Sequence, residues 1–99
     1  MQSERTEHGW TFSFDGELDA ATVADLNEQG LETPTDATVV IDLRKVTLLD
    51  STGIGFLHVW FEQLEEAGHE MSIQIADPTL DELFRICGLT ERLGVVRVD

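Results

Sequence analysis

The sequence is poor in cations, cysteine and long apolar runs, and each shortage excludes a class of protein. Only 6 Lys and Arg residues face 20 Asp and Glu, which gives the 99-residue chain a formal net charge of −14. Such a chain lacks the basic surface that binds nucleic acid or an anionic membrane. Lys45 is the only lysine. The acidity fits either a salty habitat or an ordinary acidic surface, and composition does not separate the two.

The single cysteine, Cys87, excludes an internal disulfide and favours a cytoplasmic location. Its apolar surroundings predict a small buried thiol. They consist of Leu83, Phe84, Ile86 and Leu89. No apolar run approaches the ~20 residues that span a bilayer, and the polar N-terminus does not resemble a signal peptide. We therefore expect no insertion into a membrane.

Residue types that could support catalysis or metal binding are scattered. The three histidines, His8, His58 and His69, have no cysteine or carboxylate at metal-ligand spacing. His58 falls near the apolar stripe of a helix and is predicted to be a hydrogen-bonded residue at the edge of the core. The acidic group Asp15, Glu17 and Asp19 fits a cation site, but a solvated Glu17 with Asp19 starting a helix is the favoured interpretation. We expect no enzyme activity, metal or cofactor.

Hydrophobic periodicity predicts an alternation of strands and helices. Strands are predicted at 9–14, 37–43, 71–75 and 95–98, with a turn at 15–17, a loop at 33–36 and a short loop after 43. Helices are predicted at 20–29 with Gly30 as C-cap, at 52–67 closed by Gly68, and from Asp77-Pro78 to Gly88. The nearly continuous apolar run at 37–43 is typical of a strand covered on both faces.

This order predicts one α/β domain over residues 1–99, with its core at about 10–98. The fold is expected to be a mixed β-sheet of about four to five strands with helices packed on it. In the helix at 52–67, one stripe faces the core and contains Ile54, Leu57, Phe61 and Leu64. Phe56, Val59 and Trp60 lie off that stripe. Val59 is predicted to be exposed, whereas exposure and burial fit Trp60 equally.

The segment Asp50-Ser51-Thr52-Gly53-Ile54-Gly55 follows a predicted buried strand and opens the long helix. Helix-terminal N–H groups and the positive end of the helix dipole favour a bound phosphate, which makes Ser51 a candidate switch residue. The segment also fits an ordinary helix start with Asp50 or Ser51 as the N-cap. Local chemistry by itself favours the ordinary start.

The order of motifs along the chain resembles the STAS domain of bacterial anti-sigma factor antagonists. The resemblance covers nearly the whole chain, and the Asp-Ser-Thr-Gly-Ile-Gly element is its most specific part. It rests on Gly16-Glu17-Leu18-Asp19, a buried strand, Leu48-Leu49-Asp50-Ser51-Thr52-Gly53-Ile54-Gly55, Ala76-Asp77-Pro78 and Leu83-Phe84-Arg85-Ile86-Cys87-Gly88-Leu89.

The resemblance implies a partner switch without enzymatic activity in the domain itself. The unphosphorylated chain would bind a serine-kinase anti-sigma factor and release a sigma factor. The kinase would then phosphorylate Ser51 and end the interaction, and a metal-dependent PP2C-type Ser/Thr phosphatase would restore it. Asp50 and Asp19 would repel the phosphate, with only Arg44 and Lys45 close in sequence as counter-charges. The implied partner-binding residues are Asp19, Asp50, Ser51, Thr52, Gly53, Ile54, Phe56 and Val59.

Two departures from the family pattern modify these expectations. The charged segment 2–7 predicts a reduced first edge strand, and the sequence stops where many relatives continue into a further helix. Part of the sheet is therefore expected to be less covered, or to be covered by a partner or a second copy of the chain. The sequence does not decide whether the chain forms a homodimer. The alternative functions are an unphosphorylated regulatory subunit of an ABC-transporter ATPase and a scaffold in stress signalling.

Overall fold

Five strands form one mixed sheet in the order β1-β2-β3-β4-β5. The computed structural model describes residues 2–6, 9–29 and 38–98. Strand β1 pairs antiparallel with β2, and β2 to β5 are parallel neighbours. The elements, in chain order, are β1 (Gln2–Thr6), β2 (Gly9–Leu18), α1 (Ala20–Gln29), β3 (Thr38–Leu49), α2 (Ser51–Glu66), β4 (Glu70–Ile75), α3 (Pro78–Ile86) and β5 (Val95–Arg97).

The three helices of the described residues share one face of the sheet. Each connects neighbouring parallel strands in the same direction, and right-handed crossovers in one direction place their helices on one side. The strand register aligns Phe12, Ile41 and Ile73 in a row, and all three are buried. This row and its neighbours form the core under the helices.

The other face of the sheet is only partly covered. Its central row contains Asp42 and Gln74, which are half-buried, and the exposed Val96. The prediction that the strand at 37–43 is covered on both faces is therefore wrong. Burial alternates between Thr38 and Leu43. Val40, the apolar residue of this segment on the second face, is half-buried because its ladder neighbours are Thr11 and Ser72.

Strands β2 and β3 extend beyond their predicted ends. The predicted turn at 15–17 lies within β2, and the predicted loop after Leu43 lies within β3. The two extensions pair with each other, and Leu18 and Leu49 are partners at their ends. Two register shifts and the left-handed Gly16, with φ 81°, absorb the turn-forming residues inside the ladder. Pairing between the segments thus prevails over local turn chemistry.

Two further predictions are corrected by the structure. The first edge strand is not reduced, because β1 pairs with β2 over its five residues. Cys87 is exposed rather than buried, since α3 ends at Ile86 and Cys87 is its C-cap, outside the turns that pack on the sheet. The helices otherwise follow the sequence, with Asp77 as N-cap of α3 and Pro78 in its first turn. The predictions for Gly30 and 33–36 lie outside the described residues.

Candidate functional site

Helices α1 and α2 begin side by side at the carboxyl ends of β2 and β3. They follow β2 and β3, whose last residues, Leu18 and Leu49, are partners in the parallel ladder. The carboxylate of Asp50 lies between the two helix starts. Its Oδ1 accepts a hydrogen bond from the Gly53 N–H at 2.9 Å, and its Oδ2 accepts one from the Ala20 N–H at 3.3 Å. One side chain therefore caps α2 and ties it to α1.

Asp19 holds the start of α1 in the same manner. Its Oδ1 accepts a hydrogen bond from the backbone N–H of Thr22 at 3.0 Å. The hydrogen bonds from Thr22, the backbone one first, lower the pKa of the Asp19 carboxyl below its ordinary value. The predicted role of Asp19 at the helix start is confirmed. The two helix starts thus present a pair of acidic caps, Asp19 and Asp50.

Ser51 is the first residue of α2 and is exposed. Of the two residues predicted as possible N-caps, Asp50 is the one that accepts the capping hydrogen bond. The Ser51 hydroxyl is therefore not engaged as the cap. Thr52 is exposed beside it. The structure accordingly presents a solvent-accessible hydroxyl at the positive end of a helix of 16 residues.

Gly53 sets how closely α2 approaches the end of β2. It is buried, and a Cβ built there would lie 2.2 Å from the Leu18 carbonyl oxygen and 2.7 Å from Leu49 Cδ1. Ile54 is half-buried and packs against the core. Gly55 differs, since a Cβ there would meet nothing within 4 Å. The first glycine of the motif is thus required by packing, and the second lies on an open face.

The apolar residues off the core stripe of α2 separate into buried and exposed positions. Trp60 is 5% exposed and packs edge-on against Phe12, with ring centroids 5.0 Å apart. Phe56 is half-buried at 5.7 Å from the Trp60 ring. Val59 is 55% exposed, which confirms its predicted exposure. Trp60 is covered because the aromatic side chains of β2 reach it across the helix–sheet interface.

Leu48 is a site candidate that the sequence analysis missed. It lies three residues before Ser51 and is 49% exposed, although its neighbour Leu49 is buried. The Leu48-Leu49 pair carried the signal, because successive side chains of a strand point to opposite faces. The predicted loop at this position concealed that alternation.

Of the two cations close to Ser51 in sequence, Arg44 is already paired. Arg44 donates from Nε and Nη2 to the two carboxylate oxygens of Asp42, at 3.0 and 2.9 Å. The side-chain hydrogen bond from Arg44 lowers the pKa of the Asp42 carboxyl. Lys45 pairs in the ladder with Asp15. Arg44 is therefore not a dedicated partner for a phosphate on Ser51.

Among residues 2–6, 9–29 and 38–98, no three His, Cys, Asp or Glu side chains are grouped so that they could hold a metal ion. His58 is partly exposed, and its Nε2 lies 3.4 Å from Glu62 Oε1 on the next turn.

No helix in the described part of the chain has the length and apolar character needed to cross a membrane.

Known proteins share the fold in which this site lies. The family model described as Mlab, STAS domain (STAS_2) matches residues 1–97. The anti-sigma factor antagonist SpoIIAA in its unphosphorylated form superposes with a TM-score of 0.77 at 19% identity, over 99% of this chain and 87% of that one. An anti-sigma factor antagonist from Mycobacterium paratuberculosis gives 0.76 at 21% identity, over 95% and 81%. A sulfate transporter family protein from Wolinella succinogenes gives 0.72 at 21% identity, over 86% and 73%.

Proposed function

Because this chain belongs to the STAS domain family, we propose that it is an anti-sigma factor antagonist controlled by phosphorylation of Ser51. The unphosphorylated form binds a serine-kinase anti-sigma factor in the cytoplasm, and the bound kinase releases its sigma factor. The observation that carries the proposal is the exposed Ser51 hydroxyl at the start of α2, with the capping role taken by Asp50. The solved anti-sigma factor antagonists with the same fold support it.

The proposed modification is an ordinary phosphoryl transfer from ATP. The Ser51 Oγ forms a bond to the γ-phosphorus, the bond to the β-phosphate oxygen breaks, and ADP leaves while the hydroxyl proton passes to a base of the kinase. The product has a charge of about −1.5 to −2 and three strong acceptor oxygens. A PP2C-type phosphatase hydrolyses the ester and returns the chain to its binding form.

The local electrostatics explain how the phosphate would act. The α2 N-terminus stabilises an anion, so the fold accommodates it. Asp19 and Asp50 lie at the two adjacent helix starts and repel it. Since Arg44 is engaged by Asp42, an internal ion pair is not the favoured outcome. The phosphate therefore acts by adding charge and bulk where the partner makes contact.

The proposed binding surface surrounds Ser51. It includes the two acidic caps, Asp19 and Asp50, together with Thr52 and Val59. Its remaining members, Gly53, Ile54 and Phe56, are buried or half-buried and shape the surface from below. Exposed apolar side chains beside a switch residue are typical of docking surfaces. We add Leu48 to this surface because of its exposure and its place just before Ser51.

A second candidate function is a regulatory subunit of a transporter, in which Ser51 is never phosphorylated. The same fold occurs in a sulfate transporter family protein, which supports a role beside a transporter. In that case an ABC-transporter ATPase would bind the chain permanently, and Ser51 would be only the first residue of α2.

Pull-down from native lysate, with wild type, Ser51→Ala and Ser51→Asp as baits, tests whether phosphorylation of Ser51 controls partner binding. Wild type and Ser51→Ala are expected to retain an ATP-binding serine kinase, and Ser51→Asp is expected to lose it, because the added carboxylate mimics the repulsion by phosphate. Equal retention of one ATPase or scaffold by all three baits would instead establish a constitutive subunit.

Incubation of the captured kinase with ATP provides the matched control. Phosphopeptide mapping is expected to find the phosphate on Ser51 in wild type and in Thr52→Ala, and none in Ser51→Ala. Phosphate on Thr52 in the wild type would contradict the assignment.

A further inference from the structure

The outer face of α2 departs from the charge pattern that stabilises a helix. Glu65 and Glu66 occupy its last turn and Glu62 comes just before, where the negative end of the helix dipole favours cations. Glu62 and Glu66 are also four residues apart, the spacing at which like charges on a helix repel. No Lys or Arg occurs between Ser51 and Glu66. This arrangement lowers the stability of the helix.

The three glutamates differ in how they are satisfied within the molecule. Glu65 receives Arg92, whose Nη1 lies 2.9 Å from its Oε2 and whose guanidinium also lies 4.6 Å from the centre of the Phe61 ring. Glu62 has only the neighbouring His58 imidazole, which attracts it when protonated. For Glu66, no cation of the described residues lies within ion-pair distance. Glu62 and Glu66 thus remain available to a cationic partner.

These two glutamates share a face with the exposed apolar residue of the helix. At ~100° per residue, Ser51, Gly55, Val59, Glu62 and Glu66 fall within about 80° of arc. Val59 is 55% exposed, and the space beside Gly55 is open. We call these five residues the α2 stripe. It extends from the switch hydroxyl, past a small residue and an apolar side chain, to an acidic end.

We propose that the α2 stripe docks a basic protein surface, with an apolar socket for Val59 flanked by Arg or Lys side chains that pair with Glu62 and Glu66. Charge complementarity identifies this occupant, because an acidic helix end on a chain of net charge −14 repels any acidic partner. Docking would also neutralise the like charges that destabilise the free helix. The inference rests on the proposed function in one respect: a single partner covers both Ser51 and the acidic end.

The test compares two charge-reversed variants with the same net charge. Glu62→Lys/Glu66→Lys changes the stripe, whereas Glu82→Lys/Glu91→Lys changes exposed residues of α3 and of the turn before β5. Because lysines at a helix C-terminus complement the dipole, the stripe variant is expected to melt at the wild-type temperature or above it by circular dichroism. Loss of binding by this variant would therefore not reflect unfolding.

Both variants serve as baits beside wild type and Ser51→Asp. A protein retained by wild type and by the Glu82/Glu91 variant, and lost by the stripe variant, is identified, purified and titrated. Its Kd for the stripe variant is expected to be about tenfold or more above that for the Glu82/Glu91 variant. Added NaCl is expected to weaken wild-type binding more than binding of the stripe variant.

Each result separates this inference from the proposed function. If the stripe variant retains every protein that the Glu82/Glu91 variant retains, or binds the purified partner equally well, the inference is overturned. A partner that depends on the stripe but ignores Ser51→Asp supports the inference and contradicts the phosphorylation switch. A partner that is lost only by Ser51→Asp supports the phosphorylation switch and contradicts the inference about the α2 stripe.

Discussion

At the start of α2, Asp50 makes the capping hydrogen bond and the Ser51 hydroxyl is left outside the cap. Asp50 caps the helix and reaches the Ala20 N–H of α1, so the neighbouring Ser51 can be modified without removal of the cap. Elsewhere on the sheet, Arg44 holds the carboxylate of Asp42 by two side-chain hydrogen bonds and also donates its backbone N–H at 3.0 Å. Charged residues are thus placed by short-range hydrogen bonds even where they are largely exposed.

The Asp42–Arg44 pair makes a prediction about acid stability. Because the hydrogen bond from Arg44 lowers the pKa of Asp42 below 3.8, ionised Asp42 favours the folded state. Its contribution is present above that ordinary value and is lost as the pH falls through the lower pKa of the folded state. In Arg44→Ala the Asp42 pKa is expected to rise toward 3.8, with only a small loss of stability at neutral pH, because exposed ion pairs contribute little.

Carboxyl NMR titration measures the Asp42 pKa directly. Arg92→Ala is the control, because it removes a guanidinium that pairs with Glu65 on a different element. An Asp42 pKa that stays the same in Arg44→Ala, or that shifts equally in the control, would refute the assignment of its cause.

At the level of elements, the packing of α2 on the strand ends depends on the first glycine of its motif. Gly53 allows the helix start to lie against the Leu18 carbonyl, where a methyl group has no space. Gly55, two residues on, faces open space. The contrast provides a matched pair of substitutions within one helix turn.

Gly53→Ala is expected to destabilise the fold by about 1–3 kcal/mol, since the new Cβ forces α2 away from β2. Gly55→Ala is expected to stabilise it by about 0.5–1 kcal/mol, because alanine has the higher helix propensity and meets no neighbour there. Urea denaturation of both variants checks the signs. Equal effects of the two substitutions would show that the close approach of Gly53 does not limit the packing.

At the level of the whole molecule, helices cover one face of the sheet, and acidic residues far outnumber basic ones. The helices shield the apolar row through Phe12, Ile41 and Ile73, while the second face is polar enough to meet water. With 20 acidic against 6 basic residues, the folded chain concentrates like charges on a small surface. Self-repulsion of this kind opposes the compact state.

Thermal stability is therefore expected to rise with ionic strength. Between about 0.02 and 0.5 M NaCl, screening should increase the Tm by roughly 4–8 °C, the shift that ~1 kcal/mol produces in a domain of this size. Differential scanning calorimetry measures it. The Glu82→Lys/Glu91→Lys variant, which is less acidic, should show a smaller rise. A Tm that does not change or decreases with salt would exclude self-repulsion as a significant cost.

Sequence patterns located most helices and strands because local chemistry determines them. Apolar periodicity defined the buried stripe of α2, with Leu57, Phe61 and Leu64, and an Asp-Pro pair marked the start of α3. The exposure of Val59 followed from its place opposite that stripe. The helix start at Ser51 likewise followed from residues within a few positions of it. The motifs also identified the family, which the match over residues 1–97 confirms.

The amino-acid sequence by itself determined the helices, the acidic surface, the family and the candidate switch residue, since each depends on residue type and near spacing. Only the tertiary structure decided the length of β2 and β3, the burial of Trp60 and the exposure of Cys87. Pairing with a distant strand can outweigh a local turn signal. Burial, likewise, depends on where an element ends and what packs beside it. Those contacts join residues far apart in the chain, so they are fixed only when the whole sheet and its helices assemble.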